Sequence, residues 1–463
     1  MEADSTYLHL IGLPEADALF HSLTMQVLYG PRGSLEAGPP AEYASLFPAQ
    51  RQEREILRAW RGECTGCDVS MATLYLTTEC PGECDYCFLR GLEEGASVMR
   101  REEITAALDT LDRVCVPGGA DLLIYGGEPF LYPDLVEHAV LEASGRRGVG
   151  GIVAITAGWG GNRKLADLMA VHDVFMIVSM DGPPEVHNRC RPGPGGGGSF
   201  EVARRAFETY RDAGCRTGIS VTLTEGNLGA MPQAFGWIID TFSPDDIGLN
   251  SALHPDMSGR LPDCRVEPRR AMEVMTECLA EARGRGVYVE QLFRRLRPFA
   301  RRSPRLRDCP AAGSRLVWMP GGRLGFCDCL TARGHGVIPA SSPHPMKALA
   351  LADLRRECPV FWNDCLDCPS LAICGGGCRY DAWSETGSLS GGSSYRCAGE
   401  EVLLRWLLND LLQTCGGLPE DGSLLVPSLR QRLDMLGGID PLDDRVVPMP
   451  RGTLCGEDAQ CGG

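Results

Sequence analysis

Between residues 72 and 290 short apolar runs alternate six times with longer amphipathic ones, and no other feature of this 463-residue chain restricts its fold as much. "MATLYLTT", "DLLIYG", "GIVAIT", "VFMIVSM", "TGISVTL" and "IGLN" have the length and aliphatic content of strands. The helical segments between them are "REEITAALDTLDRV", "DLVEHAVLEAS", "RKLADLMAVH", "SFEVARRAFETYRDAG" and "MPQAFGWIIDTF", and "PRRAMEVMTECLAEARGRG" closes the series. In the fourth, Phe200, Ala203, Phe207 and Tyr210 share one face and Gly214 ends the helix. Apolar strands joined by helices predict an α/β fold with a parallel sheet and its chemistry at the strand ends. Six strands are too few to close an eight-stranded barrel. A partial (β/α)6 barrel over residues 71–290, open at the side to a large substrate, is therefore expected.

The flanks read differently. Residues 1–70 hold strand-like "TYLHLIGL" and "HSLTMQVLYG", then helical "AEYASLFPAQRQEREILRAWRG", divided by "GPRGSLEAGPP" into a small β-plus-α module. Residues 291–308 form a basic linker, with seven arginines in "FRRLRPFARRSPRLR". It is read as a solvated face, the alternative being a landing site for an acidic peptide or redox partner. Residues 309–400 are rich in Cys and Gly with little periodicity, as when bound metal substitutes for an apolar core. Residues 401–463 comprise an amphipathic helix and a tail expected to be poorly ordered.

A formal charge of −16 excludes a nucleic-acid surface, because phosphates would be repelled. No run approaches the roughly 18 apolar residues of a membrane span. The start, "MEADSTYLHL", lacks the layout of a secretory signal, so a cytoplasmic location is expected. There, 22 cysteines are expected to bind metal rather than to build a disulfide framework.

The cysteines cluster. Cys80, Cys84 and Cys87 stand as C-x3-C-x2-C directly after the first barrel strand. Two thiols suit a redox pair and four a closed metal site, whereas three leave one corner open. A zinc site completed by a distant His is the alternative. A second group runs Cys365-x2-Cys368-x5-Cys374-x3-Cys378, with Cys397 beyond and Cys309-x12-Gly322-x4-Cys327 upstream. Its alternative is a pair of zinc knuckles. Cys64-x2-Cys67 is read as structural thiols in preference to a reducible dithiol. The loop "RPGPGGGGSF" is a flexible connection, since no Gly-Lys-Ser follows to bind phosphate.

Taken together, Cys80, Cys84 and Cys87 after the first strand resemble the signature of the radical S-adenosylmethionine superfamily. The resemblance implies a [4Fe–4S] cluster whose fourth iron binds S-adenosylmethionine and, once reduced, cleaves it to a 5′-deoxyadenosyl radical. "YGGEPFLYPDL" resembles the family's GGE motif, implying that Gly126, Gly127 and Glu128 meet the methionine amine. Tyr86 matches the aromatic residue whose backbone contacts adenine. "SMDGPPEVHNRCRP" resembles a fourth-strand segment of peptide- and protein-modifying members, implying that Ser179 meets the ribose and Arg191 the carboxylate. His187 is read as anchoring its loop. Where many relatives read T-N-G, this chain has Thr156-Ala157-Gly158-Trp159, which departs from the ribose-binding pattern.

The C-terminal pattern resembles the SPASM domain, which carries two auxiliary [4Fe–4S] clusters, making three in all. That resemblance implies an outer cluster on Cys365, Cys368, Cys374 and Cys397, and an inner one on Cys309, Cys327 and Cys378. Sulfatase-maturing relatives have a further inner ligand where this chain has Ser303. Either Cys329 supplies it or one iron is open to a substrate thiolate, the reading we prefer. Asp328 matches the carboxylate that those relatives use as a proton acceptor, its alternative being a turn cap.

The expected function is maturation of a ribosomally made precursor peptide through a thioether or carbon crosslink, with the N-terminal module gripping the leader by strand addition. A flavodoxin- or ferredoxin-type protein would donate the electron. The second expectation is oxidation of Cys or Ser to formylglycine in a protein substrate. An alternative of another class is a non-catalytic iron–sulfur carrier.

Overall fold

The computed structural model describes residues 5–64, 68–90, 92, 95–253, 263–338, 345 and 358–439. They fall into two compact units. One comprises Met1–Gly66, Glu267–Cys309 and Arg356–Asp440, and the other Cys67–Val266, Pro310–Arg355 and Pro441–Gly463. The residues 1–70 expected to stand alone are thus grouped, as far as Gly66, with two later segments. The tail 441–463 and Cys67 lie outside the described residues.

The first unit opens with an antiparallel sheet of β1 (Leu8–Gly12), β2 (Asp17–His21) and β3 (Gln26–Gly30), in that order. "HSLTMQVLYG" is not one strand but the turn and return of a hairpin, with Met25 in the left-handed region at φ 53°. Leu19 and Leu28 pack on Leu35, Tyr43 and Phe47. The expected helix 41–62 is broken: a 3-10 turn covers Ala41–Leu46, and α1 runs Gln50–Glu63. Pro48 explains the break, because it forces Phe47 out of the helical region, to φ −109°, ψ 140°.

All six expected barrel strands form. They are β4 (Met71–Thr77), β5 (Ala120–Gly126), β6 (Val149–Thr156), β7 (Phe175–Ser179), β8 (Thr217–Leu223) and β9 (Asp246–Ser251), parallel and in sequence order. Helices α2 (Arg101–Val114), α3 (Pro133–Ala143), α4 (Arg163–Val171), α5 (Pro184–Cys190), α6 (Phe200–Asp212) and α7 (Met231–Phe242) connect them. Ala72, Leu74 and Leu76 of β4 are buried, and so are Ile104, Leu108 and Leu111 of α2. Two further strands extend the sheet to eight: β10 (Arg315–Met319) pairs parallel with β4 and antiparallel with β11 (Arg323–Gly325). They come from the stretch expected to lack periodicity. The short helix α10 (Asp328–Ala332) follows.

Back in the first unit, α8 (Pro268–Gly284) is paired to the long helix Ser394–Thr414 by Arg283 on Asp410, at 2.6 Å. The expected basic linker is mostly α9 (Glu290–Arg301), whose Leu292, Phe293, Leu296, Phe299 and Ala300 are buried. Its arginines do not form the expected solvated face, since Arg295 and Arg297 are buried too. No helix among the described residues is long and apolar enough to cross a membrane.

Candidate active site

The strand ends of β4, β5, β6 and β7 bring most of the expected residues together. Beyond Thr77 the chain turns through the cysteine loop, where Gly82 N donates to Cys80 Sγ at 3.4 Å. A Cβ built on Gly82 would lie 3.5 Å from Cys80 Sγ and 3.9 Å from Cys84 Sγ, so both sulfurs face one spot. Burial pushes the Cys80 thiol up to about 12, with Cys84 and Cys87 adding to the effect. Burial raises Cys84 as well, against the opposing charge of Arg191.

Neutral, crowded thiols are a poor end state, and bound metal deprotonates them. Three thiols on one loop, with the Cys80 and Cys84 sulfurs both close to Gly82, fit a [4Fe–4S] cubane, whose thiolates bind separate irons.

Both glycines of the GGE motif are dictated by close approach. Gly127 N donates to Thr77 O at 2.8 Å and Glu128 N to Glu79 O at 2.7 Å, so the motif lies against the start of the cysteine loop. A Cβ on Gly126 would meet Thr77 O at 2.3 Å, and one on Gly127 would meet Glu79 O at 2.2 Å. The Glu128 side chain is fully buried and already engaged. It accepts from Phe130 N at 3.1 Å, Thr156 Oγ1 at 2.9 Å and Ala157 N at 2.8 Å. Burial nonetheless raises its carboxyl to about 7. In this structure Glu128 braces the Thr156-Ala157-Gly158 turn.

Sequence reasoning passed over Asp181, two residues beyond Ser179, as a functional residue. Completely buried, it accepts from Tyr86 Oη at 2.6 Å, Arg191 Nε at 2.9 Å and Thr222 N at 2.8 Å. The Arg191 guanidinium also stacks 5.2 Å from the Tyr86 ring centre. One carboxylate thus joins the cysteine loop, the arginine and β8. The available signal was an acid at a strand end ten residues before an arginine. His187 does anchor its loop: Nδ1 accepts from Asp181 N at 3.3 Å and Nε2 meets Ser199 Oγ at 3.0 Å. The glycine loop is tethered to the cysteine loop, through Glu83 N on Pro192 O at 2.8 Å.

On the β10 side, Asp328 Oδ2 pairs with Arg315 Nη2 at 2.6 Å, and Oδ1 is buried without a hydrogen-bond partner. Tyr75 Oη, also buried and unpartnered, interacts electrostatically with it. Cys329 turns toward Cys327, since the two thiols share a hydrogen bond that lowers the Cys327 thiol. Cys309 and Cys378 belong to the first unit and Cys327 to the second, and this set stays a sequence expectation.

Cys365, Cys368, Cys374 and Cys397 all lie in the first unit. They sit at ends of short helical turns: Cys368 N donates to Cys365 O at 3.1 Å and Cys374 N to Ser370 O at 2.8 Å. Burial raises the Cys365 thiol to about 12, with Cys368 and Cys397 contributing. Cys374 is likewise raised by burial, with Cys397 a weaker contributor. The donor set fits a second cluster on the same grounds as the first. Cys64 is disulfide-bonded to Cys358, 294 residues away in the chain.

A parallel partial barrel with a three-thiol loop and a Gly-Gly-Glu turn at adjacent strand ends defines the class. Residues 74–235 match the family model described as the Radical SAM superfamily, so the barrel region is a radical SAM domain and the chain an enzyme. The family implies a [4Fe–4S] cluster and S-adenosylmethionine. Among solved structures it is similar to the sulfatase maturase anSMEcpe with bound AdoMet, at 15% identity and TM-score 0.60, covering 79% of this chain and 98% of that one. The anSMEcpe complex with AdoMet and the Cp18Cys peptide is similar at 16% identity and TM-score 0.60, over 75% and 99% of the two chains. Streptococcus suis SuiB bound to precursor peptide SuiA is similar at 12% identity and TM-score 0.54, over 86% and 100%. At such identities the likeness is one of fold. No curated protein sequence matches the chain.

Proposed function

We propose that this enzyme matures a ribosomally made peptide, forming a thioether or carbon crosslink. The observation that carries the reading is the N-terminal sheet, whose strand β1 has no strand partner on its outer side among the described residues. An extended leader adding there would complete the edge's hydrogen bonds, with Leu10, 44% exposed, as an apolar contact. That SuiB and anSMEcpe have each been crystallised with a peptide agrees with a peptide substrate.

In this reading Cys80, Cys84 and Cys87 hold the first cluster, and Gly126, Gly127, Tyr86, Ser179 and Arg191 bind S-adenosylmethionine. When bound, the cluster and S-adenosylmethionine supply hydrogen-atom abstraction. The chain's own residues orient and protect. Asp181 holds Arg191 and Tyr86 in place, Glu128 fixes the third strand-end turn, and the outer thiols hold an auxiliary cluster. Asp328 accepts a proton from substrate in this reading, supported by an Oδ1 with no hydrogen-bond partner among the described residues. The electron comes from a flavodoxin- or ferredoxin-type donor.

Asp328 also favours a second reading, oxidation of a Cys or Ser to formylglycine. Co-expression with a precursor peptide encoded beside the gene, read by mass spectrometry, separates them. Both reactions remove two hydrogens, but formylglycine formation from Cys also exchanges sulfur for oxygen, and from Ser it leaves an aldehyde that a hydrazine reagent captures and a crosslink does not. An unmodified peptide under reducing, oxygen-free conditions would contradict the proposal.

A further inference from the structure

Of the seven arginines of residues 293–307, Arg295, Arg297 and Arg305 are buried and have so far no role. Arg305 Nη2 lies 2.6 Å from Asp308 Oδ1, and Arg294 and Arg295 approach the same oxygen at 3.5 Å. Arg295 also grips Glu400 Oε1, at 2.7 Å. Arg295 and Arg305 are 8% and 4% exposed and Glu400 6%, so these charges are largely out of water. Arg294 also lies 3.3 Å from Glu290 Oε1, so three guanidinium groups face three carboxylates. Although burial opposes it, Arg295, Arg305 and Arg294 hold the Asp308 carboxyl well below the usual carboxylate range.

Buried charges are screened poorly by water and act strongly on whatever lies beside them. The outer thiols lie in the same unit. Glu400 stands three residues after Cys397 on one helix, hence on the same face, and its Oε2 is buried without a hydrogen-bond partner. Helix α9, which carries Arg295, packs against the turn Leu371–Cys374, and Ser370 Oγ, two residues beyond Cys368, donates to Glu400 O at 3.4 Å. Four thiolates and four sulfides outweigh the charge of four irons, so a cluster there would be a net anion that both side chains feel.

We infer that Arg295 and Glu400 set the reduction potential of the cluster held by Cys365, Cys368, Cys374 and Cys397, the arginine raising it and the glutamate lowering it. This rests on reading those thiols as cluster ligands. Reduction by one electron adds a negative charge to a poorly screened site. A nearby buried cation stabilises the reduced form, and a nearby buried anion opposes it.

The test is a dithionite titration of the reconstituted full-length protein, followed by electron paramagnetic resonance, with iron content measured in parallel. The signal lost in Cys368→Ala identifies the outer cluster. Its midpoint should move negative in Arg295→Gln, return toward wild type in Arg295→Lys, and move positive in Glu400→Gln. Glu400→Gln leaves Arg295 beside Asp308 and carries the test should Arg295→Gln not accumulate. Shifts of one sign in both neutral variants, or none in Glu400→Gln with iron retained, would overturn the inference while leaving the cluster assignment standing. A wild-type protein with no signal removed by Cys368→Ala would overturn the assignment and the inference together.

Discussion

Asp181 and Glu128 are both buried carboxylates at strand ends, yet their environments give them different work. Asp181 receives a guanidinium, a phenol and a backbone amide, the marks of a residue that positions others. Asp181→Asn replaces one acceptor by a donor facing donors. Affinity for S-adenosylmethionine should fall about 10- to 100-fold, the roughly 1.5–3 kcal/mol of a hydrogen bond to a charged group. Calorimetric titration of the iron-loaded protein measures this, and unchanged affinity would remove Asp181 from the site. Glu128 has no cation beside it, and burial raises its carboxyl from 4.5 to about 7. A folded pKa above the unfolded one contributes stability that is present below about pH 4.5 and lost as pH rises through about 7. The stability of cluster-free wild type minus that of Glu128→Gln should therefore decline across that window in denaturant titrations. A flat difference would contradict the burial argument. The cysteines and glycines of the site were legible in the sequence because spacing and position after a strand mark them. Asp181 was not, because an acid reveals its role only through what the fold places against it.

The barrel elements were readable because each strand is a solid apolar run and each helix repeats at 3.6 residues. The failures have specific causes. The arginines hid α9: Arg295 is buried by pairing with Asp308 and Glu400, which no hydrophobic pattern records. The β10–β11 hairpin was masked by surrounding cysteines, although the Pro-Gly-Gly between "RLVWM" and "RLGF" is a turn signal. In the N-terminal sheet the hairpin turn passed for strand because Leu23 and Met25 within it are buried. That sheet carries its own prediction. Leu10→Glu on the free edge of β1 should weaken binding of a precursor peptide about tenfold or more, the worth of one buried leucine. Fluorescence anisotropy with a labelled leader measures it, and equal affinity in the variant would take the leader off this edge.

At the scale of the whole chain, a fold built for hydrogen-atom abstraction carries two thiol sets, one in each compact unit. In the proposed reading specificity comes from elements outside the barrel, and peptide recognition would rest on an edge strand whose backbone carries no side-chain signature, so the sequence yields the class of chemistry more readily than the substrate. The most direct test of the account is the parallel measurement of iron and 5′-deoxyadenosine in wild type and Cys84→Ala, both reconstituted without oxygen and reduced with S-adenosylmethionine present. Three clusters predict about twelve irons in wild type with deoxyadenosine formed, and about eight irons with none formed in Cys84→Ala. A variant that keeps all its iron, or still releases deoxyadenosine, would contradict the assignment of Cys80, Cys84 and Cys87 as the site of cofactor cleavage.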